Sequence, residues 1–172
     1  WFAAHLATVA LFTSRVLDIH DVPVLQSGAA QANAKVAHFS VADTAAQIGR
    51  YFSTLNARTL LNGITVTDGK PVPLTAAQFT SATFARSLLP SDTLFAVSGV
   101  SLADAATFQA DAKVASFAVA DTAANLAAEL DTLVGLTKLS AVSVVGTGGV
   151  VASYTWFAAH LATVALFTSR VL

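Results

Sequence analysis

Asp18-Ile19-His20-Asp21 is the densest cluster of ligand-type side chains in the sequence. On an extended strand side chains alternate between faces, so Asp18 and His20 point the same way. A carboxylate beside an imidazole can hold a divalent metal or exchange a proton as acid and base. Against that chemistry, the positions 78 residues further on are Ala96 and Ser98, which carry no ligand groups. No third partner is marked by spacing either. The cluster therefore reads as a solvated strand end, with Asp18, His20 and Asp21 the residual metal candidates and the sole nominees for an enzyme. No catalytic set, metal or cofactor is assigned, and the chain is expected not to be an enzyme.

Other chemistry-bearing residues read the same way. His5, and its copy His160, sits in an apolar stretch and is expected to be a partly buried structural histidine, while His38 is expected to be exposed. Asp43, Asp68 and Asp121 fall at strand ends, where carboxylates can bind calcium. The short glycine-aspartate spacing of calcium-binding repeats is missing, so Asp43 and Asp121 are expected to cap helices. Gly146-Thr147-Gly148-Gly149 lacks the lysine of a phosphate-binding loop and reads as a turn. No Gly-x-Ser-x-Gly elbow occurs.

Composition limits the partners. The 172 residues are 55% hydrophobic and 11% charged, which favours a packed core over disorder. A net charge of −1 provides no basic face for nucleic acid or an anionic membrane. Cysteine is absent, which removes disulfides, thiolate metal sites and cysteine nucleophiles together. Methionine is absent too, and a start at Trp1 is expected of a segment from something longer.

The elements that must carry these residues are organised by repetition. Trp1 to Leu17 returns letter for letter as Trp156 to Leu172, an offset of 155 residues. A natural repeat is the preferred explanation, an end copied by design the other. Neither copy is expected to span a membrane. Each has about 17 residues and carries a histidine and an arginine, whereas a span needs roughly 20 strongly apolar residues.

A second repeat lies inside the first. Ala34–Ala46 matches Ala112–Ala124 at 11 of 13 positions, differing at His38/Ser116 and Ser40/Ala118. The expected organisation is one module over 1–172: a 155-residue period of two diverged copies, 1–78 and 79–155, followed by the first 17 residues of the next period, 156–172.

Each copy reads as three helix-then-strand units. Helices are expected over about Trp1–Arg15, Leu25–Ala34, Thr44–Ala57, Thr75–Leu89, Ser101–Ala112 and Thr122–Val134, with a seventh in the terminal copy. The corresponding strands are Val16–Asp21, Val36–Val41 with Ala37, Phe39 and Val41 on one face, Ile64–Thr67, Leu94–Ser98, Val114–Val119 and Ala141–Val145. Thr44-Ala45-Ala46-Gln47 has capping-box spacing. Regular helix–strand alternation implies parallel strands. Polar positions such as Thr65, Thr67 and Ser116 give the strands one wet face. Together these predict an α/β solenoid, with a parallel sheet on one face and helices on the other. A doubly wound α/β domain is the alternative.

Three segments carry a resemblance: Val119-Ala120-Asp121-Thr122-Ala123-Ala124-Asn125-Leu126, Ile64-Thr65-Val66-Thr67-Asp68-Gly69 and Leu74-Thr75-Ala76-Ala77-Gln78-Phe79. They resemble the repeats of very large, tandemly repetitive bacterial surface or secreted proteins. The resemblance implies an extracellular or cell-surface location and a structural or adhesive role.

The expected function is a structural repeat module that extends, or self-assembles head to tail into filaments or a surface layer. Trp1, Phe2, Leu6, Phe12 and their copies Trp156, Phe157, Leu161 and Phe167 are the expected assembly interface, although as single residues they read as helix core. Copies of the chain itself are the expected partner. The alternative is an adhesive module whose exposed sheet face binds a cell-surface glycan or protein, and an enzyme ranks last.

Overall fold

The computed structural model describes residue 5 and residues 15–168. The chain divides into two compact units, one running up to Val72 and including Gln78–Thr93, the other comprising Pro73–Ala77 and the chain from Leu94 onward.

In the first unit a three-stranded sheet is ordered β1 (Leu17–Val22), β2 (Val36–Asp43), β3 (Leu61–Val66), with both pairings parallel. In the second, the order is β4 (Val72–Thr75), β5 (Phe95–Val100), β6 (Val114–Thr122), β7 (Leu139–Val145), with β5 to β7 parallel. Strand order follows chain order in both, and neither sheet closes into a barrel. The expected class, α/β with parallel sheets, is what the structure shows, and a doubly wound arrangement fits that class.

Side-chain alternation explains the strands. On β2, Val36, Phe39 and Val41 are fully buried while His38 is exposed and Ser40 and Ala42 are half-buried. The expected inner face, Ala37 with Phe39 and Val41, is off by one position at its start. Leu17 pairs with Val36 but Asp18 pairs with His38, so Ala37 is an extra residue that turns Val36 into the core. The second unit repeats the irregularity at Ala115, between the pairs Phe95↔Val114 and Ala96↔Ser116.

Each long helix expected after a β-strand is broken in two. Thr44–Ala57 becomes α2 (Ala45–Arg50) and α3 (Phe52–Asn56), after α1 (Ser27–Ala32) and its leading 3-10 turn Val24–Gln26. Thr75–Leu89 becomes α4 (Ala76–Ser81) and α5 (Thr83–Ser87). The second unit continues with the 3-10 turn Leu102–Asp104, α6 (Ala105–Ala110), α7 (Ala123–Ala128), α8 (Leu130–Val134), α9 (Tyr154–Ala159) and α10 (Leu161–Val164).

The breaks keep the helical stripe. Ala45, Ile48, Gly49, Phe52 and Leu55 are buried in steps of three and four across Tyr51, the break residue, at φ −106° and ψ 15°. Tyr51 N still donates to Gln47 O at 3.2 Å, and its carbonyl accepts from Leu55 N at 2.9 Å, so the break sacrifices little hydrogen bonding.

The largest fully buried side chains are Phe39, Ile48, Phe52 and Leu55 in the first unit and Phe117, Leu126 and Leu133 in the second. Each contributes about 1.5–3 kcal/mol by leaving water. Sequence reasoning did not find β4, because Pro73 reads as a breaker. Proline lacks an N–H and is tolerated on an edge strand, which is where β4 lies in its sheet.

Candidate functional site

Aspartates at the strand ends tie neighbouring turns together. The helix caps themselves are threonines: Thr44 Oγ1 accepts from Gln47 N at 3.3 Å, and Thr122 Oγ1 from Asn125 N at 3.2 Å. Asp43 and Asp121, expected to cap these helices, do something else. Asp43 accepts from Thr44 N at 2.8 Å and reaches back to Val24 N at 3.1 Å, the start of the preceding 3-10 turn. Asp121 does the same with Thr122 N and Leu102 N, both at 2.8 Å, and also accepts from Asn125 Nδ2 at 2.7 Å.

Asp68 holds the start of α2 through Ala45 N at 3.0 Å. Acceptance of N–H bonds favours the ionised carboxyl. Asp121 therefore titrates below the usual carboxylate value, chiefly because of the Leu102 N–H. Asp68 is lowered mainly by the Ala45 N–H, with partial dehydration opposing. These carboxylates are spent on backbone donors. Among the described residues no group of three or more His, Asp or Glu side chains is placed to hold a metal.

Glutamines form a second set of clamps. Gln31 Nε2 donates to Thr59 Oγ1 at 2.9 Å and its Oε1 accepts from Leu60 N at 3.1 Å. Gln109 repeats both bonds, to Thr137 Oγ1 at 2.7 Å and from Lys138 N at 3.0 Å. Asn56 accepts from Ala85 N at 2.9 Å in the same manner. Sequence reasoning missed all three. The signal was there for two of them: Gln31/Gln109 and Thr59/Thr137 are identical pairs 78 residues apart.

Asp18, His20 and Asp21 line an open cleft of about 230 Å³ with Leu17, Ile19, Val22, Pro23 and Gln26. The contact found is Asp18 Oδ1 with His38 Nδ1 at 3.2 Å, between side chains that are 60% and 59% exposed. The parallel register brings these two residues together, and residue spacing gave no sign of it. An exposed pair of this kind is worth ~1 kcal/mol at most. Asp21 adopts φ +57°, and its N–H donates to Ser40 Oγ at 3.2 Å. Thr65 and Thr67 are exposed, as expected, and Gly146 and Gly148 have the positive φ of a turn.

The last described turn presents an apolar surface. Among the expected interface residues, Trp1, Phe2, Leu6 and Phe12 lie outside the described residues. Trp156 and Phe167 are half-buried, Phe157 is 44% exposed and Leu161 57% exposed, so the last two are not the core residues their type suggests. Tyr154 and Val151 are exposed beside them in sequence.

Trp156 Nε1 donates to Asp131 Oδ1 at 2.8 Å, and the ring lies 4.9 Å from the imidazole of His160. His160 is half-buried with Nδ1 2.9 Å from Trp156 O, the structural role expected of it; His5 is half-buried as well. Phe79, 78 residues before Phe157, is 5% exposed.

No protein-family model, no curated protein and no solved structure matches the chain.

Proposed function

We propose that the chain is a structural repeat module of a long extracellular bacterial protein, built as a one-sided α/β solenoid and extending or assembling head to tail. The observation that carries this reading is the contrast between Phe79 and Phe157. One helix position, written twice at an offset of 78 residues, is buried in one copy and 44% exposed in the other.

Two features support it. In each unit strands follow chain order, and the aspartate and glutamine clamps join each turn only to its neighbour. The residues alternating with the core, Ser40, Ala42, Ala118 and Ala120, keep partial exposure, as expected of a sheet with helices on one side. Surface location rests on the resemblance of the repeats. No helix among the described residues is long and apolar enough to cross a membrane.

The test is sedimentation velocity and negative-stain microscopy of the full chain over a concentration series. Growth into rods or fibres is expected, and its loss in a Phe157→Ser, Leu161→Ser double variant. Uniform particles of one chain's mass at every concentration would overturn the reading.

A second reading, adhesion, is favoured by the exposed Asp18–His38 pair and by Thr65 and Thr67, which present polar groups on the first unit. Binding on a glycan array that is lost with His38→Ala or Thr65→Ala would establish it.

A further inference from the structure

The terminal copy sits in a built seat. Val142 N on β7 donates to Leu166 O at 2.8 Å, and Val142 O accepts from Thr168 N at 2.9 Å, forming a parallel bridge between Val142 and Phe167. Thr168 Oγ1 also bonds Val142 O at 3.3 Å, Trp156 Nε1 reaches Asp131, and Thr163 is buried. The first unit has the equivalent bond, Ile64 N to Leu88 O at 3.1 Å, with both residues shifted by 78.

Every residue that occupies this seat has an identical counterpart near the start of the chain: Trp156 is Trp1, Thr163 is Thr8, Leu166 is Leu11, Phe167 is Phe12 and Thr168 is Thr13. The two segments have one sequence and different continuations. In the N-terminal one, Leu17 runs directly into β1.

We propose that the seat on β7 is the acceptor for head-to-tail assembly and that residues 156–172 are its built-in cap, exchanged for residues 1–17 of a second copy of the chain. The inference rests on the head-to-tail reading and specifies its partner segment, register and control. The incoming segment makes the same bonds to Val142 and Asp131 as the resident one. It then continues into the second copy's β1 and β2, so the array is extended rather than ended. This is exchange of an identical element between protomers. The resident segment has the advantage of its tether, which keeps it at high effective concentration. Assembly is accordingly held back until that segment is released.

Matched substitutions in the two copies test this in the full chain. Thr168→Pro removes the N–H that the resident cap donates to Val142 O and leaves the incoming segment intact. Thr13→Pro makes the same change in the incoming segment and leaves the cap intact. Light scattering with sedimentation velocity should show Thr168→Pro assembling faster by about tenfold, the worth of one backbone bond. Thr13→Pro should assemble less than the unsubstituted chain.

A synthetic peptide of residues 156–172, added in excess, should slow the Thr168→Pro variant by refilling the seat. Circular dichroism shows whether each variant retains its fold. If both substitutions change assembly in the same direction, or the peptide has no effect, the cap is overturned while head-to-tail assembly stands. If no variant assembles at any concentration, both readings fall.

Discussion

Asp21 and Gly99 occupy corresponding positions 78 residues apart and adopt the same left-handed backbone, φ +57° and +70°. Glycine enters that region freely, and aspartate is one of the few other residues that tolerate it. A β-branched side chain does not. Gly99→Val is expected to cost about 1–2 kcal/mol and Gly99→Asp less than half as much, read as a shift of the urea midpoint. No heavy atom stands near the space a Cβ would fill at Gly99, so the cost is conformational rather than steric contact with a neighbour.

The strand-end aspartates predict a pH dependence. Asp121 and Asp68 have folded-state pKa values below the ordinary carboxylate value of 3.8. Their contribution to stability is therefore complete above the unfolded pKa and is lost as pH falls through the lower folded value. The urea midpoint should fall between pH 5 and pH 3, and an Asp68→Asn, Asp121→Asn double variant should show a shallower fall. At the same scale, the sequence revealed which aspartates matter and not what they hold. Val24 N and Leu102 N lie 19 residues before their acceptors, and a backbone donor leaves no trace in the letters.

At the scale of elements, the glutamine clamps are the bonds by which one turn fixes the start of the next strand. Gln109→Ala removes two of them and leaves Lys138 N without that acceptor, so a loss of about 1–2 kcal/mol is expected. Amide exchange should quicken at Lys138 more than at Leu60, which Gln31 continues to hold.

Element type was legible because hydrophobic periodicity survives local irregularity. The stripe Ala45, Ile48, Phe52, Leu55 announces a helix whether or not Tyr51 breaks it. The breaks were not legible, since no proline or glycine stands at Tyr51, Ala82 or Glu129. Likewise the extra residue at Ala37 is invisible in a run of small and apolar letters. It emerges only when Val36 must face the core while Asp18 pairs with His38.

At the scale of the molecule, the faces offered for assembly are apolar and the net charge is −1. Association driven by Phe157 and Leu161 should therefore strengthen in sulfate and change little with moderate sodium chloride. An assembly that dissolves as sodium chloride rises would point to ion pairing instead, and a concentration series of light scattering in each salt separates the two. The repeat that organises the molecule was fully legible, because identical letters at fixed offsets need no structure to be seen. Which copies are covered and which stand open was not, because burial depends on neighbours that sequence does not name.

The clamps also determine how a gene for such a protein can change length. Gln31 and Gln109 hold equivalent partners, and so do Asp43 and Asp121. Recombination between the codons of Gln31 and Gln109 would delete 78 residues and leave Gln31 facing Lys138 and Asp121 facing Val24, pairs of the usual kind. Unequal crossing-over can then shorten or lengthen the chain by whole copies without breaking a bond, so its reach is a heritable variable separate from its fold.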